Sequence, residues 1–334
     1  MSSYEAGRDL KSFLPEALRS LAEPQTDLPR IARDPNLMRL IEAAVRQVPS
    51  RHDLWLGDSR QMVLEPSSVH LVVTSPPYWT LKEYRDTAGQ LGHVADYERF
   101  LQELDRVWEL CWHGLVPGGR LIVVVGDVCL SRRRNNGRHT VVPLHASIQE
   151  RCRKLGFDNL APIIWHKIAN AVYEADGAGG FLGKPYEPNA VIKNDIEFIL
   201  MQRKPGGYRK PELPTRILSL ISSANHRSWF QQVWTGLTGA STRHHPAPYP
   251  LELAERLVRM FSFVGDTVLD PFLGTGTTSL AASRWGRDSV GFEIDPDYMK
   301  IARSRLLDAT SDLFGGTAVH VHRAVAESPR RVKA

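Results

Sequence analysis

The chain has 334 residues, a formal charge of +5 and three cysteines, none in a Cys-x-x-Cys pair. That length allows one large α/β domain with insertions, or two domains, and the cysteine usage argues against a disulfide scaffold or a zinc site and for a reducing compartment. No apolar run is long enough to span a bilayer and the amino terminus lacks a signal-peptide pattern, so a cytoplasmic protein with no membrane partner is expected.

Residues 1 to about 50 show helical periodicity in two pieces, Leu10 to Leu21 and Leu37 to Val48, with a Pro-containing linker at Pro24 to Pro29 between them. This reads as a helical extension that packs on the main domain or a partner. From Asp53 the chain turns strand-like, and Leu54-Trp55-Leu56 ends at the turn Gly57-Asp58. At a strand end Asp58 either caps the next segment or faces a site.

Val69 to Val73 reads as a short buried strand, followed by Thr74-Ser75-Pro76-Pro77-Tyr78-Trp79. Two consecutive prolines fix φ and remove backbone donors, so the strand must end there. The Ser75 hydroxyl and the carbonyl of Ser75 or Pro76 are then available to accept hydrogen bonds from an amino group on a flat heterocycle, with Tyr78 stacking on its ring. The alternative is a rigid strand exit whose aromatics pack in the core; local sequence does not separate the two.

Asp96 to Cys111 reads as an amphipathic helix with Phe100, Leu104, Val107, Trp108 and Cys111 on one face. Pro117-Gly118-Gly119 breaks it, and Leu121 to Val125 is an apolar strand. This is a β-α-β unit, which implies a parallel sheet. The polar, basic stretch Ser131 to His139, containing Arg132, Arg133, Arg134 and Arg138, reads as a mobile loop on the working edge of that sheet and fits a polyanionic partner, although a charge run is usually just a solvated face. A helix over Val142 to Leu155 and a strand over Ala161 to Lys167 follow. Between Ile168 and His244 regularity weakens, apart from a strand at Asp195 to Met201, and aromatics interleave with basic residues such as Tyr208 and Arg209. That mixture suits nucleic-acid contact, a lid over a pocket, or both.

Order returns with His245-Pro246-Ala247-Pro248-Tyr249-Pro250, a helix over Leu251 to Phe263 and a strand over Thr267 to Leu269. The strand opens into Asp270-Pro271-Phe272-Leu273-Gly274-Thr275-Gly276-Thr277-Thr278 and a helix over Ser279 to Arg284. A Gly-x-Gly loop between strand and helix lets a cofactor approach backbone amides. The next strand, Asp288 to Phe292, delivers Glu293, 19 residues past Gly274, close to the spacing of about 20 residues expected of a ribose-binding carboxylate. Together these point to an adenosine-type cofactor. The loop lacks the third glycine of the dinucleotide fingerprint and sits on a late strand, which favours S-adenosylmethionine over a nicotinamide. A helix over Pro296 to Leu307 precedes a Ser-, Gly- and Arg-rich tail from about Ala309, whose last dozen residues are expected to be unstructured.

With both sites in view, the chain resembles the amino-methyltransferases of DNA, the N4-cytosine and N6-adenine enzymes, in the circularly permuted arrangement where the catalytic half precedes the cofactor half. Thr74 to Trp79 resembles the catalytic motif in its cytosine-N4 form, Val268 to Thr278 the methionine-binding loop, and Gly291-Phe292-Glu293 with Tyr298 the ribose-binding strand. His245 to Pro250 resembles the motif leading into the cofactor half and Gly57-Asp58 the adenine-side turn. The resemblance covers about residues 53 to 308. It implies a Rossmann-like, mostly parallel sheet with an antiparallel edge strand and a target-recognition insert. The implied divisions are an extension at 1–50, a catalytic half at 51–169, a recognition region at 170–244, a cofactor half at 245–308 and a tail at 309–334.

The resemblance further implies S-adenosylmethionine held by Asp58, Thr74, Asp270, Pro271, Phe272, Gly274, Gly276, Thr277 and Glu293. Ser75, Pro76, Pro77 and Tyr78 would act on the amine of a flipped-out cytosine in double-stranded DNA by direct transfer. Arg132, Arg133, Arg134, Arg138, Lys167, Tyr208 and Arg209 would contact DNA, and a homodimer and a cognate restriction endonuclease are compatible partners. Cytosine C5 methylation would instead need a thiolate, typically in a Pro-Cys motif, and none of Cys111, Cys129 and Cys152 follows a proline.

Overall fold

The computed structural model describes residues 8–21, 23–79, 85, 87–130, 135–167, 194–239, 249–311 and 316–323. Among them, β4 (Val128–Leu130) and β5 (Thr140–Val142) form a separate antiparallel hairpin. The frame of the molecule is a nine-stranded sheet built from β1 (Arg51–Leu56), β2 (Val69–Thr74), β3 (Leu115–Val125), β6 (Asp158–His166), β7 (Ile196–Arg203), β8 (Val233–Trp234), β9 (Thr267–Asp270), β10 (Asp288–Glu293) and β11 (Ala318–Arg323). Their spatial order is β11-β1-β10-β9-β2-β3-β7-β6-β8.

Every neighbouring pair in this sheet is parallel except those made by β7, which runs against both β3 and β6. The reversed strand is therefore present but is not the edge strand the sequence reading expected. It lies inside the sheet because β6 and β8 add beyond it. From β2 the chain moves outward to β3, and from β9 it moves the other way to β10. Such a reversal opens a crevice at the carboxyl ends of the two central strands, the usual binding place in open α/β sheets.

The central strands alternate between two cores. Val72, Val123, Val125 and Leu269 point to the face covered by α3 (Tyr97–Gly114) and α4 (Leu144–Lys154). Leu71, Val73, Ile122, Val124 and Val268 point to the face covered by α7 (Leu251–Phe261) and α8 (Thr277–Arg284). Both faces being buried is why these strands read as continuous apolar runs. Helix α3 starts at Asp96, whose carboxylate accepts from the Arg99 amide, and it buries all five residues of the predicted apolar face.

Four expectations change. Pro117-Gly118-Gly119 does not separate helix from strand but forms an irregularity inside β3, where the register on β2 jumps from Val69↔Leu115 to Leu71↔Arg120. Gly118 sits at φ +78°, and a Cβ there would lie 2.7 Å from the Gly207 carbonyl oxygen. In the extension, two 3-10 turns, Leu10–Phe13 and Glu16–Leu18, occupy the first predicted helix. The presumed linker instead begins α1 (Pro24–Arg33), which Pro24 can open because the first turn has no use for its missing N–H. Helix α2 (Pro35–Val45) follows, capped by Asp34. The tail also contributes structure: β11 pairs with β1 and adds an outer strand, while residues beyond 323 lie outside the described ones. Helix α9 (Pro296–Ser311) precedes it.

The extension is docked rather than loose. Leu14, Leu18, Leu28, Ile31, Met38, Ile41 and Val45 share one core with Ile217 and Leu218 of α5 (Leu213–Leu218) and with Val264, and Arg259 pairs with Glu42 at 3.0 Å. A further short helix, α6 (Ser223–Trp229), precedes β8. Replacing the fully buried Ile41 by Ala should lower the unfolding free energy by about 2–5 kcal/mol, read by urea denaturation.

Candidate functional site

The carboxyl ends of β1, β2, β9 and β10 border one open cleft, where open α/β sheets bind their ligands. It gathers residues far apart in the chain: Asp58 after β1, Ser75 and Pro77 after β2, Pro271 and Phe272 after β9, and Glu293 with Tyr298 at and beyond the end of β10. Both stretches singled out from the sequence therefore open into one space. Gly89, Gln90 and Leu91 close one side. Nothing in their local sequence marks them as pocket residues, because only the path of the loop carries them there.

Thr74, Asp270, Gly274, Gly276 and Thr277 do not line this cleft but stand behind it. Asp270 is 2% exposed and accepts hydrogen bonds from Thr74 Oγ1 (2.7 Å), Thr278 Oγ1 (2.5 Å), Tyr249 Oη (3.3 Å) and the Phe272 amide (3.1 Å). Burial pushes its carboxyl above the usual range while these donors pull it down. One carboxylate thus ties the ends of β2 and β9 to α8 and to the segment entering α7. Gly276 begins α8 at φ +80°, and a Cβ there would sit 3.0 Å from Ala302 Cβ in α9. The second loop glycine is explained by that turn and close approach.

Glu293 is buried at 8% exposure. Its two oxygens accept from the Gly274 amide (2.7 Å) and the Asp295 amide (2.8 Å). Burial raises its pKa to about 7 against the pull of those two amides. Each oxygen keeps a further lone pair for an outside donor. Asp58 lines the cleft yet is shared: it caps a 3-10 turn through the Arg60 amide and holds the Arg60 guanidinium, which continues to Glu103 (2.6 Å) and the Gly89 carbonyl (3.0 Å). Both sequence readings of Asp58, cap and site wall, apply at once.

In the turn after β2, Ser75 is half-buried, Pro76 is buried, and Tyr78 is 6% exposed within the α3-side core. Trp79 takes the left-handed φ of +47° and donates its indole N–H to the Val94 carbonyl (2.9 Å). Ser75 Oγ lies 3.4 Å from Tyr78 Oη, which donates to Glu197 Oε2 at 3.3 Å, and Glu197 Oε1 is held by Lys167 at 2.6 Å. Sequence reading missed Glu197. A signal existed: it is an acid in the otherwise apolar run Ile196-Glu197-Phe198-Ile199-Leu200-Met201, and a buried charge needs a partner.

The expected DNA contacts divide in two. Lys167 lies at the carboxyl end of β6 on the cleft side, and Arg138 is exposed on the segment joining β4 to β5. Arg132, Arg133 and Arg134 lie outside the described residues, as does His245 to Pro248. Tyr208 and Arg209, by contrast, follow the far end of β7 at the opposite edge of the sheet: Tyr208 Oη accepts from Arg203, and Arg209 grips Asp266, just before β9, at 2.7 and 2.5 Å. Placing them beside the cleft would require β7 to run the other way.

Known proteins resemble this chain in sequence and fold. The profile of the DNA methylase family N6_N4_Mtase matches residues 69–304. The type II methyltransferase M.MjaI of Methanocaldococcus jannaschii is 36% identical over 291 residues, covering 78% of this chain and 92% of that protein. M.MthZI of Methanothermobacter thermautotrophicus is 33% identical, covering 76% of each. Among solved structures, TTHA0409 of Thermus thermophilus, complexed with S-adenosyl-L-methionine, superposes with a TM-score of 0.65 at 52% identity over 81% of this chain and 99% of that one. The cytosine-N4-specific PvuII DNA methyltransferase shares the fold at a TM-score of 0.56 and 17% identity, over 82% of this chain and 96% of that one.

Asp270→Ala would remove the buried acceptor shared by three hydroxyls and one amide. It should destabilise the protein by about 3 kcal/mol or more, seen as a lowered urea midpoint, with Asp270→Asn milder.

Proposed function

The chain belongs to the DNA methylase family, and from that premise we propose that it transfers a methyl group from S-adenosylmethionine to the exocyclic N4 amine of a cytosine in double-stranded DNA. The observation that carries this reading is the shared cleft: Ser75 and Pro77 of the amine-accepting turn and Glu293 of the cofactor strand line the same space.

The residues present fit the cofactor. Leu91, Phe272, Ile294 and Tyr298 supply apolar walls for a flat base, and the spare lone pairs of Glu293 suit two adjacent ribose hydroxyls. Asp58, its charge shared by Arg60, lines the same cleft and would read the adenine amine. When bound, S-adenosylmethionine supplies a methyl group made electrophilic by its sulfonium. The protein's own task is the amine, a poor nucleophile because its lone pair is delocalised into the ring. Acceptors at Ser75 Oγ and the Pro76 carbonyl draw on its two hydrogens, shift it toward tetrahedral geometry and orient it for in-line attack.

A duplex base cannot reach this edge while stacked, so it must be extruded at a cost of a few kcal/mol. Arg138, exposed on the segment joining β4 to β5, and Lys167, at the carboxyl end of β6, would offset that through phosphate contacts. Serine rather than aspartate before the two prolines is what favours cytosine over adenine. The type II names of the relatives support a role beside a cognate restriction endonuclease.

Nucleoside digestion of DNA treated with the enzyme should yield N4-methylcytosine; N6-methyladenine alone would overturn the cytosine assignment. Ser75→Ala should slow transfer by about a hundredfold, with cofactor affinity by calorimetry unchanged. Ribose hydroxyls donating to Glu293 favour its ionised form, whereas burial raises its pKa to about 7. Cofactor affinity should therefore be flat above that pH and weaken by up to about tenfold per unit below it, and Glu293→Gln should bind more weakly with no such dependence.

A further inference from the structure

We propose that Glu197 is the terminal acceptor of a proton path that begins at the target amine and runs through Ser75 and Tyr78. The inference rests on the methyltransferase reading above and assigns the fate of a proton that reading leaves unaccounted for.

The donors are ordered in one direction. Ser75 Oγ donates to Tyr78 Oη at 3.4 Å, and Tyr78 Oη donates to Glu197 Oε2 at 3.3 Å. Both separations are long for O–H···O bonds, as is common before a substrate tightens a site. The path is enclosed: Tyr78 is 6% and Glu197 8% exposed. Gly126, at the end of β3, leaves room for them to meet, since a Cβ there would touch Glu197 Cγ at 3.4 Å and Tyr78 Cε2 at 3.7 Å. Lys167 offsets the cost of burying the carboxylate.

Among the described residues, the other charged groups on the flanking elements are held elsewhere. His166 lies 3.3 Å from Asp195, and His145 Nδ1 lies 2.6 Å from Asp127 while its ring stacks on Phe198. Lys167 is the cation that reaches Glu197, and Tyr78 the hydroxyl.

The step balances. As the amine nitrogen forms its new bond to the methyl carbon, the methyl–sulfur bond breaks and its electron pair stays on sulfur. The nitrogen is left cationic and must lose one proton. That proton passes to Ser75 Oγ while the Ser75 proton moves to Tyr78 Oη and the Tyr78 proton to Glu197 Oε2. The end state is a neutral N-methyl amine and a neutral glutamic acid beside the Lys167 cation. Transfer is downhill because a cationic nitrogen whose lone pair belongs to a ring is a far stronger acid than a carboxylic acid.

The test is single-turnover transfer from tritiated S-adenosylmethionine, at saturating cofactor, to unmethylated bacterial genomic DNA across a pH series. The wild type should show a falling acid limb. Glu197→Gln, which still accepts from Tyr78, should be slower by about tenfold or more and lose that limb, with cofactor affinity unchanged by calorimetry. Tyr78→Phe keeps the ring and should behave alike, and the double variant should be no slower than the slower single one. Either single variant transferring at the wild-type rate, or a slowed Glu197→Gln that keeps the wild-type limb, overturns the path. An active wild type with indifferent variants sinks the path alone, whereas a wild type that methylates no DNA sinks the methyltransferase reading with it.

Discussion

The carboxylate of Asp270 is the point on which the site depends. It is buried between the two central strands and takes hydrogen bonds from Thr74, Thr278, Tyr249 and Phe272. An isolated charge there would be untenable, and the four donors, drawn from separate segments, are what make it tolerable. In satisfying it they also set the site. Thr74 immediately precedes Ser75, and Phe272 lines the same cleft from the β9 side, so one buried carboxylate holds the two walls of the cleft in register.

A second constraint is the direction of β7. Because it runs against its neighbours, its first residues lie at the carboxyl edge of the sheet, and Glu197 arrives beside Tyr78 while Arg203 is carried to the far edge. Tyr208 and Arg209 follow to that far edge, and Asp266 neutralises Arg209 there. The same reversal thus supplies one group to the active edge and removes two others from it.

The elements that frame the cleft were legible in the sequence because their signals are local. Two prolines after an apolar run must end a strand whatever surrounds them, and Gly-x-Gly between a strand and a helix restricts backbone geometry regardless of context. The Glu293 spacing followed from the length of one strand–helix–strand unit. Less legible was whether a residue such as Asp270 would face the cofactor or the interior, since strand alternation sets a face but not what covers it. Pro24 shows the same limit: it suits a linker or a first helical turn equally, and packing of Leu28 and Ile31 against the extension's core selected the helix.

The amino-acid sequence by itself determined the α/β class and where two strands open into loops, because apolar periodicity, proline and glycine act within a few residues of where they stand. Only the tertiary structure decided that Asp270 braces the cleft from behind, that Glu197 meets Tyr78, and that Tyr208 and Arg209 stand at the opposite edge. Those outcomes depend on which strands become neighbours and in which direction they run, and that is settled by burying both faces of the whole sheet at once.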